Sequence, residues 1–393
     1  MKPTRLIALL LCAMMLVTAL AGCSDSNGTY PYDPNDGGSP ADSSPGNTPS
    51  TGNTEDAEHV HGVDFDAAFA TFPPDTVMII TGDYNVTWAE LYFNLRNSLE
   101  GLVAAVGGLP DLSSPIAPDI TYADMVLEFA VDNAITYKVI EFGAKMSGVT
   151  ISADDLYILD TNYQGMVEQL GGEEEFLKAL WERDGISDYD LFLYIFHTGY
   201  LANLLFDELL GIGGSLVSDE EAASLTSFEG YLMAKHILRL KSSTGDDNAL
   251  EETEEILRQL NDYDGDDLHG FFTSLMFEHT EDGGISSFPQ GYLFQIGDMV
   301  HEFYEACVAL EPGQISGIVE TVYGYHIVMR LPINYDTVPS GRARVNDFRT
   351  LRQMVASSMF EAEMQAWTSL LQVEFTPEFD LLDIASLFAG CQH

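Results

Sequence analysis

A series of helix-start signals between residues 87 and 221 constrains the fold of this chain most strongly. In each, a serine or threonine is followed three residues later by an acid, the pattern of a capping box. Apolar residues such as Val126, Ala130 and Ala134 recur between them at helical spacing. The pattern predicts an all-helical segment of about 130 residues. The five signals are Thr87–Glu90, Thr121–Asp124, Ser152–Asp155, Ser187–Asp190 and Ser218–Glu221.

The pattern changes at Tyr231, where a segment of mixed character begins. It predicts a strand, then three helices, then a second strand, an α+β arrangement of about 100 residues. The acidic run Asp262–Asp267 lacks the glutamate that closes a calcium-binding loop, so we interpret it as a turn between helices. The predicted elements are a strand at 234–240, helices at 249–260, 268–277 and 298–307, and a strand at 324–329.

Two further elements lie outside these segments. Residues 76–80 form a short β-prone run that is closed by Gly82. Near the other end, an amphipathic helix is predicted from about residue 346, because Leu351, Val355 and Met359 fall on one stripe. Such a helix must pack on something, and the N-terminal helices are the obvious partner. We therefore expect a discontinuous helical domain with the strand-containing domain inserted in it.

The N-terminus has the pattern of a bacterial lipoprotein signal. Positively charged Lys2 and Arg5 precede an apolar run, residues 6–20, that is too short to span a membrane comfortably. The run ends in Leu20-Ala21-Gly22-Cys23, which resembles a lipobox and predicts lipidation of Cys23. Residues 24–70 follow as a predicted disordered tether, since their first part is dominated by Ser, Gly, Pro, Asn and Asp.

Charge and cysteine content exclude several functions. The chain has 16 Lys and Arg against 62 Asp and Glu, a net charge of −46, whereas nucleic-acid binding needs clustered cations. No Cys/His cluster suggests a metal site, and we predict neither a metal nor another cofactor. Cys307 and Cys391 can pair in an oxidising compartment, but spacing alone leaves their state open.

Several motifs in the mixed segment occur in the order found in the parvulin family of peptidyl-prolyl isomerases, and the chain as a whole resembles PrsA/SurA-like foldases. The resemblance implies a parvulin domain, a small antiparallel sheet with surrounding helices, inserted in a mostly α-helical SurA-like chaperone domain. The motifs are Ala234-Lys235-His236-Ile237-Leu238, Thr280-Glu281-Asp282, Met299-Val300-His301-Glu302-Phe303, Leu310-Glu311-Pro312-Gly313-Gln314 and Val319–Val328.

The resemblance also implies a role for individual residues. His236 and His326 correspond to paired histidines beneath the active site, and Thr321 joins their network. Asp282 stands where the family has Cys or Asp, facing the substrate carbonyl. Met299 and Phe303 would line the proline pocket; being four residues apart, they would share one face of a helix. For each residue a purely structural role, in the core or in a loop, is the alternative.

Two departures from the family pattern limit the resemblance. After Gly283-Gly284 the family motif GGDLGxF is replaced by Ile285–Phe294, which changes the predicted floor of the pocket. Lys241-Ser242-Ser243 lacks the basic cluster of phosphate-directed parvulins, so a phosphorylated substrate is not expected. A catalytically weak holdase that keeps the fold as a peptide-binding module is therefore the alternative to an isomerase. A solute-binding lipoprotein would need two α/β lobes, and only one small sheet is predicted.

The sequence thus predicts a lipid-anchored foldase on the extracytoplasmic face of the cell membrane. It would catalyse cis-trans isomerisation of X-Pro bonds and bind unfolded exported polypeptides, with no nucleic acid as partner and an unspecified oligomeric state. The predicted ranges are 1–23 for the signal, 24–70 for the tether, 71–230 for the helical domain, 231–333 for the parvulin domain and 334–393 for a C-terminal helix packed on the helical domain.

Overall fold

The computed structural model describes residues 63–226, 230–241, 248–343 and 347–389. The predicted signal with Cys23, most of the predicted tether and Cys391 lie outside the described residues. Within the described ranges no helix is both long and apolar enough to cross a membrane. Cys307 is buried and forms no disulfide with another described residue, so its predicted pairing with Cys391 remains open.

The described chain contains helices and short antiparallel strands. The helices are α1 Phe65–Phe69, α2 Trp88–Val106, α3 Tyr122–Ser147, α4 Ala153–Gln169, α5 Glu173–Asp184, α6 Tyr189–Leu210, α7 Asp219–Thr226, α8 Ala249–Asp262, α9 Leu268–His279, α10 His301–Val308, α11 Ser340–Ala343, α12 Leu351–Leu370 and α13 Ile384–Leu387. The strands are β1 Val77–Thr81, β2 Tyr84–Thr87, β3 Pro115–Ala117, β4 Ile120–Thr121, β5 Leu232–Leu240, β6 Tyr292–Phe294, β7 Ile315–Glu320, β8 Gly324–Leu331 and β9 Val373–Phe375.

The chain divides into two compact units. Unit 1 combines Met1–Leu205 with Met364–His393, and unit 2 is the intervening Phe206–Glu363. Fold and sequence agree in class: the protein is mostly helical with small antiparallel sheets. The five predicted domain ranges remain predictions.

Capping boxes start the helices of unit 1 largely where the sequence predicts them. The side chains of Thr87, Thr121 and Ser152 each accept a hydrogen bond from the backbone N–H three residues later. The acid at that later position accepts the backbone N–H of the capping residue in return. The prediction for Ser187 is one residue out, because the Asp188 carboxylate accepts the Leu191 N–H and caps α6. The Asp188 carboxylate, one residue after Ser187, thus binds an N–H group of the first helical turn that has no partner within the helix.

A buried aromatic cluster forms the core between α4, α5 and α6. Tyr163, Phe176 and Phe192 pack with ring centroids 5.2–5.8 Å apart in edge-to-face and tilted geometries. Leu180, Ile186 and Ile195 complete the cluster. Tyr163, Phe176 and Phe192 are therefore core residues in the structure.

Unit 1 also contains a three-stranded sheet of order β2-β1-β9 that was only partly predicted. The β-prone run at 76–80 corresponds to β1, but its partners were not predicted. In β9, Phe375 pairs with Ile79 and Val373 with Thr81. A second sheet, the hairpin β3–β4, was missed as well. The segment expected to be all-helical therefore carries short strands, which are too short to show a period of two in sequence.

The end of the predicted tether is structured. Helix α1 lies within the range 24–70 and is capped by the Asp64 carboxylate. Phe69 packs against Tyr92 and Trp181 with ring centroids 5.0 and 5.2 Å away. Apolar burial of this kind offsets the entropy of ordering the segment, so the tether prediction is wrong for residues 65–69.

Unit 2 is built on a four-stranded antiparallel sheet of order β6-β5-β8-β7. The central pair β5–β8 runs from Met233 opposite Leu331 to Leu240 opposite Gly324. Both predicted strands, at 234–240 and 324–329, lie within this pair. The sequence did not predict β6 or β7; β6 has three residues, and β7 is interrupted by Gly317 and an irregular register.

Alternation along β5 gives each face of this sheet its own core. Tyr231, Met233 and Ile237 point to the face covered by α8 and α9, where Ile256, Phe272 and Met276 fill the space. Leu232 and Ala234 point to the other face, with Phe294, Phe303 and Cys307. The same alternation puts His236 on this second face, beside α10. The acidic run 262–267 is the turn between α8 and α9, as predicted.

Candidate functional site: a histidine–aspartate network in an apolar cleft

Two histidines on the central strands form the middle of the site. His236 lies on β5 and His326 on β8, in diagonal positions, since His236 is opposite Val328 and His326 opposite Leu238. Their Nδ1 atoms are 3.0 Å apart and their rings are nearly parallel, with centroids 5.2 Å apart. Both side chains are buried. A hydrogen bond between the two Nδ1 atoms needs a proton on one of them and none on the other. The tautomer of one histidine therefore determines that of its partner.

The outer nitrogen of each histidine is hydrogen-bonded, one to a carboxylate and the other to a hydroxyl. Asp282 Oδ2 lies 2.9 Å from His236 Nε2, and Thr321 Oγ1 lies 2.8 Å from His326 Nε2. Thr321 follows β7 in the turn to β8, and its hydroxyl also accepts the Tyr323 N–H. The four residues His236, Asp282, Thr321 and His326 therefore form one continuous chain of hydrogen bonds.

Two loop contacts hold Asp282 in place. Its backbone N–H donates to Thr280 Oγ1, which also accepts the N–H of Leu238 on β5. Its Oδ1 accepts the Gly284 N–H at 3.0 Å, capping the short helical turn Gly283–Ser286. The loop is thus fixed to the strand that carries His236, and the carboxylate is aimed at the imidazole.

Tyr292 is a member of the network that the sequence did not predict. Its hydroxyl donates to Asp282 Oδ2 at 2.5 Å, and its ring lies edge-on to His236 at 5.6 Å. Tyr292 belongs to the Ile285–Phe294 stretch that departs from the family motif. Its position on β6, beside β5, could have been found only by recognising that three-residue strand.

The surroundings of Asp282 and His326 determine the charge of each side chain. Burial would raise the pKa of Asp282, but hydrogen bonds from His236, Tyr292 and the Gly284 N–H outweigh burial and lower that pKa well below its ordinary value. Burial lowers the pKa of His326 to about 4, an effect that neighbouring His236 increases and Asp282 partly opposes. Asp282 is therefore an anion and His326 neutral at neutral pH.

These charges determine the direction of the hydrogen bonds when His236 is neutral as well. An ionised Asp282 only accepts, so His236 Nε2 carries the proton and its Nδ1 accepts from His326 Nδ1. His326 Nε2 then accepts from the Thr321 hydroxyl. All donors point toward the carboxylate, which stabilises the negative charge of Asp282.

Above this network lies an apolar cleft of about 530 Å³. Five of the six residues predicted for the site line it: His236, Asp282, Met299, Phe303 and His326. Thr321 lies behind His326 and completes the network without lining the cleft. The lining residues that sequence reasoning missed are Leu238, Leu240, Glu281, Gly283, Gly284, Phe288, Tyr292, Asp298, Val300 and Tyr323.

Met299 and Phe303 meet in the cleft, although they do not share a helix. Helix α10 begins at His301, and Val300 is extended, with φ −61° and ψ 147°. The prediction of a helix from residue 298 is therefore wrong: Asp298 accepts the Gln295 N–H and closes a turn there instead. Phe303 faces both imidazoles edge-on, at 5.2 Å from His236 and 5.6 Å from His326.

The arrangement can bind and polarise a small apolar group without breaking bonds. Phe288, Met299 and Phe303 provide an apolar surface, and a fixed anion lies beside it. The network has no cysteine or serine placed as a nucleophile. A site of this kind suits a reaction in which charge is redistributed within the bound molecule.

Comparison with known proteins agrees with this geometry. Residues 236–331 match the family model of the rotamase, the PPIC-type PPIASE domain. The chain is 26% identical to the chaperone SurA of Nitrosospira multiformis over 164 residues, 42% of this chain and 36% of that one. It is 25% identical to the foldase protein PrsA of Caldanaerobacter subterraneus over 265 residues, 65% of this chain and 72% of that one.

Among solved structures, PrsA from Bacillus subtilis is similar at 19% identity and a TM-score of 0.24, covering 76% of this chain and 92% of that one. The chain matches about a third of the length of SurA. Residues 236–331 thus correspond to a PPIC-type domain in a chain similar to PrsA and SurA foldases, and these similarities support peptidyl-prolyl cis-trans isomerase activity.

Proposed function

We propose that this chain, whose residues 236–331 match a PPIC-type peptidyl-prolyl isomerase domain, is a lipid-anchored extracytoplasmic foldase. It isomerises X-Pro bonds in exported proteins and also binds them as a chaperone. The observation that carries the proposal is the network Tyr292–Asp282–His236–His326 beneath an apolar cleft. In the proposed roles, Met299 and Phe303 hold the proline ring, and Asp282 faces the carbonyl of the preceding residue.

The chemistry of the reaction explains why so few groups suffice. Amide resonance gives the X-Pro bond a rotation barrier close to the roughly 18–20 kcal/mol of an ordinary peptide bond. In the planar amide the carbonyl oxygen carries extra negative charge, and twisting the bond returns that charge to nitrogen. An anion beside the oxygen therefore repels the planar form more than the twisted form. Since catalysis is the difference between the two interactions, a fixed Asp282 carboxylate lowers the barrier.

The histidine network acts by positioning in this proposal. With all donors directed toward Asp282, His236 and Tyr292 hold its oxygens and keep it ionised in a half-buried cleft. An unheld carboxylate would either protonate or turn toward water. His326 and Thr321 in turn fix the tautomer of His236.

Exchange NMR on a short Ala-Pro peptide tests the catalytic proposal. We expect residues 24–393 to exchange the cis and trans peaks. Asp282→Ala removes the anion and leaves the imidazole of His236 without its acceptor, so we expect a loss of at least about tenfold, the effect of 1.36 kcal/mol in the barrier. Asp264→Ala, at an exposed turn acid of the same unit, serves as control. Unchanged exchange with the Asp282 variant would remove this residue from the mechanism.

A holdase that retains the fold without catalysis is the second candidate. The replacement of the family's GGDLGxF motif by Ile285–Phe294 favours it, because this stretch forms part of the cleft wall through Phe288 and Tyr292. The two candidates separate in one pair of measurements. Absence of exchange together with suppressed aggregation of an unfolded client supports the holdase; exchange supports the isomerase.

A further inference from the structure

We infer that the cleft selects prolines that are flanked by lysine or arginine. This inference rests on the proposed function, since it concerns the substrate class of the same site. It is carried by two acidic residues on separate segments of the cleft wall, Glu281 and Asp298, and by an exposed apolar mouth between solvent and the network.

Asp298 is a fixed carboxylate next to the proposed proline pocket. It immediately precedes Met299 and lines the cleft. Its Oδ2 accepts the Gln295 N–H at 2.9 Å. Its other oxygen lies against Gly341, where an added Cβ would come within 2.6 Å of Oδ1. Among the described residues no lysine or arginine forms an ion pair with it, so its charge is available to a bound peptide.

Glu281 supplies a second carboxylate beside Asp282. Its Oε2 accepts the Leu240 N–H at 2.7 Å, and its Oε1 lies 3.6 Å from Arg239 Nη1. At that distance Arg239 compensates the charge only in part, since the same guanidinium also binds Glu252 and the carbonyl of His279. The Glu281 side chain is 39% exposed, so a ligand can reach it.

Lys241, the residue that follows β5, is engaged elsewhere. Lys241 Nζ lies 2.6 Å from Glu320 and donates to the Thr321 carbonyl at 3.1 Å. It also lies over the Tyr325 ring, 4.9 Å from the centroid. Lys241 does not line the cleft, whose lining contains three carboxylates and neither lysine nor arginine. The field in the cleft therefore favours cations.

The mouth of the cleft fits the stem of a long cationic side chain. Leu240 and Tyr323 both line the cleft and are 45% and 59% exposed. Lysine and arginine lay their methylene stems along apolar surface while the charged end stays polar. A tyrosine face also attracts a cation directly. A glutamate in the same place would meet carboxylates in a low-dielectric cleft and be repelled.

Three peptides of the form Ala-X-Pro-Ala, with X as lysine, alanine or glutamate, test the inference with residues 24–393. A second set places the charged residue after proline. We expect kcat/KM for a lysine peptide to exceed that for the glutamate peptide by about tenfold at about 0.01 M salt, an interaction difference of about 1.4 kcal/mol. At about 1 M salt the ratio should fall toward one.

Matched variants identify the residues responsible. In Asp298→Asn and Glu281→Gln we expect the lysine-to-glutamate ratio to fall by about threefold each, since each removes one charge of the cleft. Asp264→Asn removes one charge at an exposed turn and should leave the ratio unchanged. Equal rates for lysine and glutamate peptides in both sets, or a ratio unaffected by either cleft variant, would overturn the inference.

A failure of the proposed isomerase function can be distinguished from a failure of the charge preference. If no peptide is isomerised, the isomerase proposal fails, and the dissociation constants of the same peptides, from NMR titration, decide the charge preference. Tighter binding of the lysine peptides that weakens in Asp298→Asn supports the preference for a binding module. Equal binding of lysine and glutamate peptides overturns it.

Discussion

At the scale of the residue, His326 couples the site to the stability of the fold. Burial lowers the pKa of its imidazole from 6.5 to about 4. The unfolded chain therefore takes up a proton here near pH 6.5, whereas the folded chain does so only near pH 4. Between these values the unfolded state binds more protons, so stability falls as the pH falls. Above pH 6.5 the contribution of His326 is fully present.

The predicted effect is a pH-dependent loss of up to about 3 kcal/mol in the free energy of unfolding between about pH 6.5 and about pH 4. Urea denaturation across this range measures it. In His326→Gln we expect a flatter dependence on pH, because the titrating group is gone. His301→Gln, which removes an exposed histidine of the same unit, should keep the slope of the original protein. An unchanged slope in the His326 variant would contradict the assignment.

A second residue-scale prediction concerns the buried ion pair of unit 1. Lys138 Nζ lies 2.7 Å from Glu90 Oε1, with side-chain exposures of 6% and 15%, and it also lies over the Tyr194 ring. Removing Glu90 leaves the Lys138 ammonium in the core with only the longer contact to Glu141 Oε2, at 3.8 Å. We expect Glu90→Gln to cost about 3 kcal/mol, and Glu90→Gln with Lys138→Met to cost less than the single change. Equilibrium unfolding of the double-mutant cycle measures the coupling.

An exposed pair of the same unit provides the control for this cycle. Lys145 and Asp83 are 3.6 Å apart, but their side chains are 67% and 84% exposed. Solvent screens such a pair, so we expect Lys145→Met to change stability by less than about 1 kcal/mol. A cost for Glu90→Gln as small as this would show that the buried pair is already solvated.

At the scale of the element, the packing of α3 depends on one glycine. A Cβ at Gly143 would lie 2.1–2.8 Å from three ring atoms of Trp367 in the final part of α12. The ring occupies the place of the missing side chain. We expect Gly143→Ala to destabilise the protein by about 1–3 kcal/mol through overpacking, and to change tryptophan fluorescence. Gly101→Ala, at an open helical position in α2, should be neutral or stabilising.

Elements also differ in how well their sequences predict them. Helices with a local cap were predicted, because a pair such as Thr87–Glu90 carries the whole signal within four residues. Strand β9 was not predicted, since its pairing partner β1 lies almost the whole length of the chain away. The start of α10 was predicted too early, because Asp298 closes a local turn that apolar spacing does not reveal.

The same distinction holds for the candidate site. His236, Asp282, Thr321 and His326 were grouped by their resemblance to a family, and the structure places them within one network. Tyr292 and Asp298 were missed, because each acts through a contact that depends on a short strand or turn. Their catalytic and binding roles remain predictions.

At the scale of the whole molecule, the predicted lipid anchor is separate from everything that the structure describes. Cys23 precedes the first described residue by 40 positions, since the described chain begins at Val63. We expect mass spectrometry of protein made in a bacterial membrane to find a diacylated N-terminal peptide beginning at Cys23, because two acyl chains anchor a protein stably.

Substitution of the two N-terminal cysteines tests this prediction. Cys23→Ser should release the protein from the membrane fraction, whereas Cys12→Ser, which changes the cysteine inside the predicted leader, should not. An unmodified Cys23, or continued membrane binding of the Cys23 variant after a salt wash, would contradict the anchor.

The pairing of β9 with β1 has a consequence for the order in which a newly made chain can mature. Thr376, just after β9, donates its hydroxyl to the carbonyl of Val77, across a separation of 299 residues. Synthesis proceeds from the N-terminus, so all of Phe206–Glu363 has been made while β1 still lacks its partner. Unit 2 can therefore reach its native state first, and the sheet of unit 1 stays open until the last few dozen residues arrive. A chain that ends after residue 363 would therefore contain all of unit 2 and leave the edge of β1 without its β9 partner.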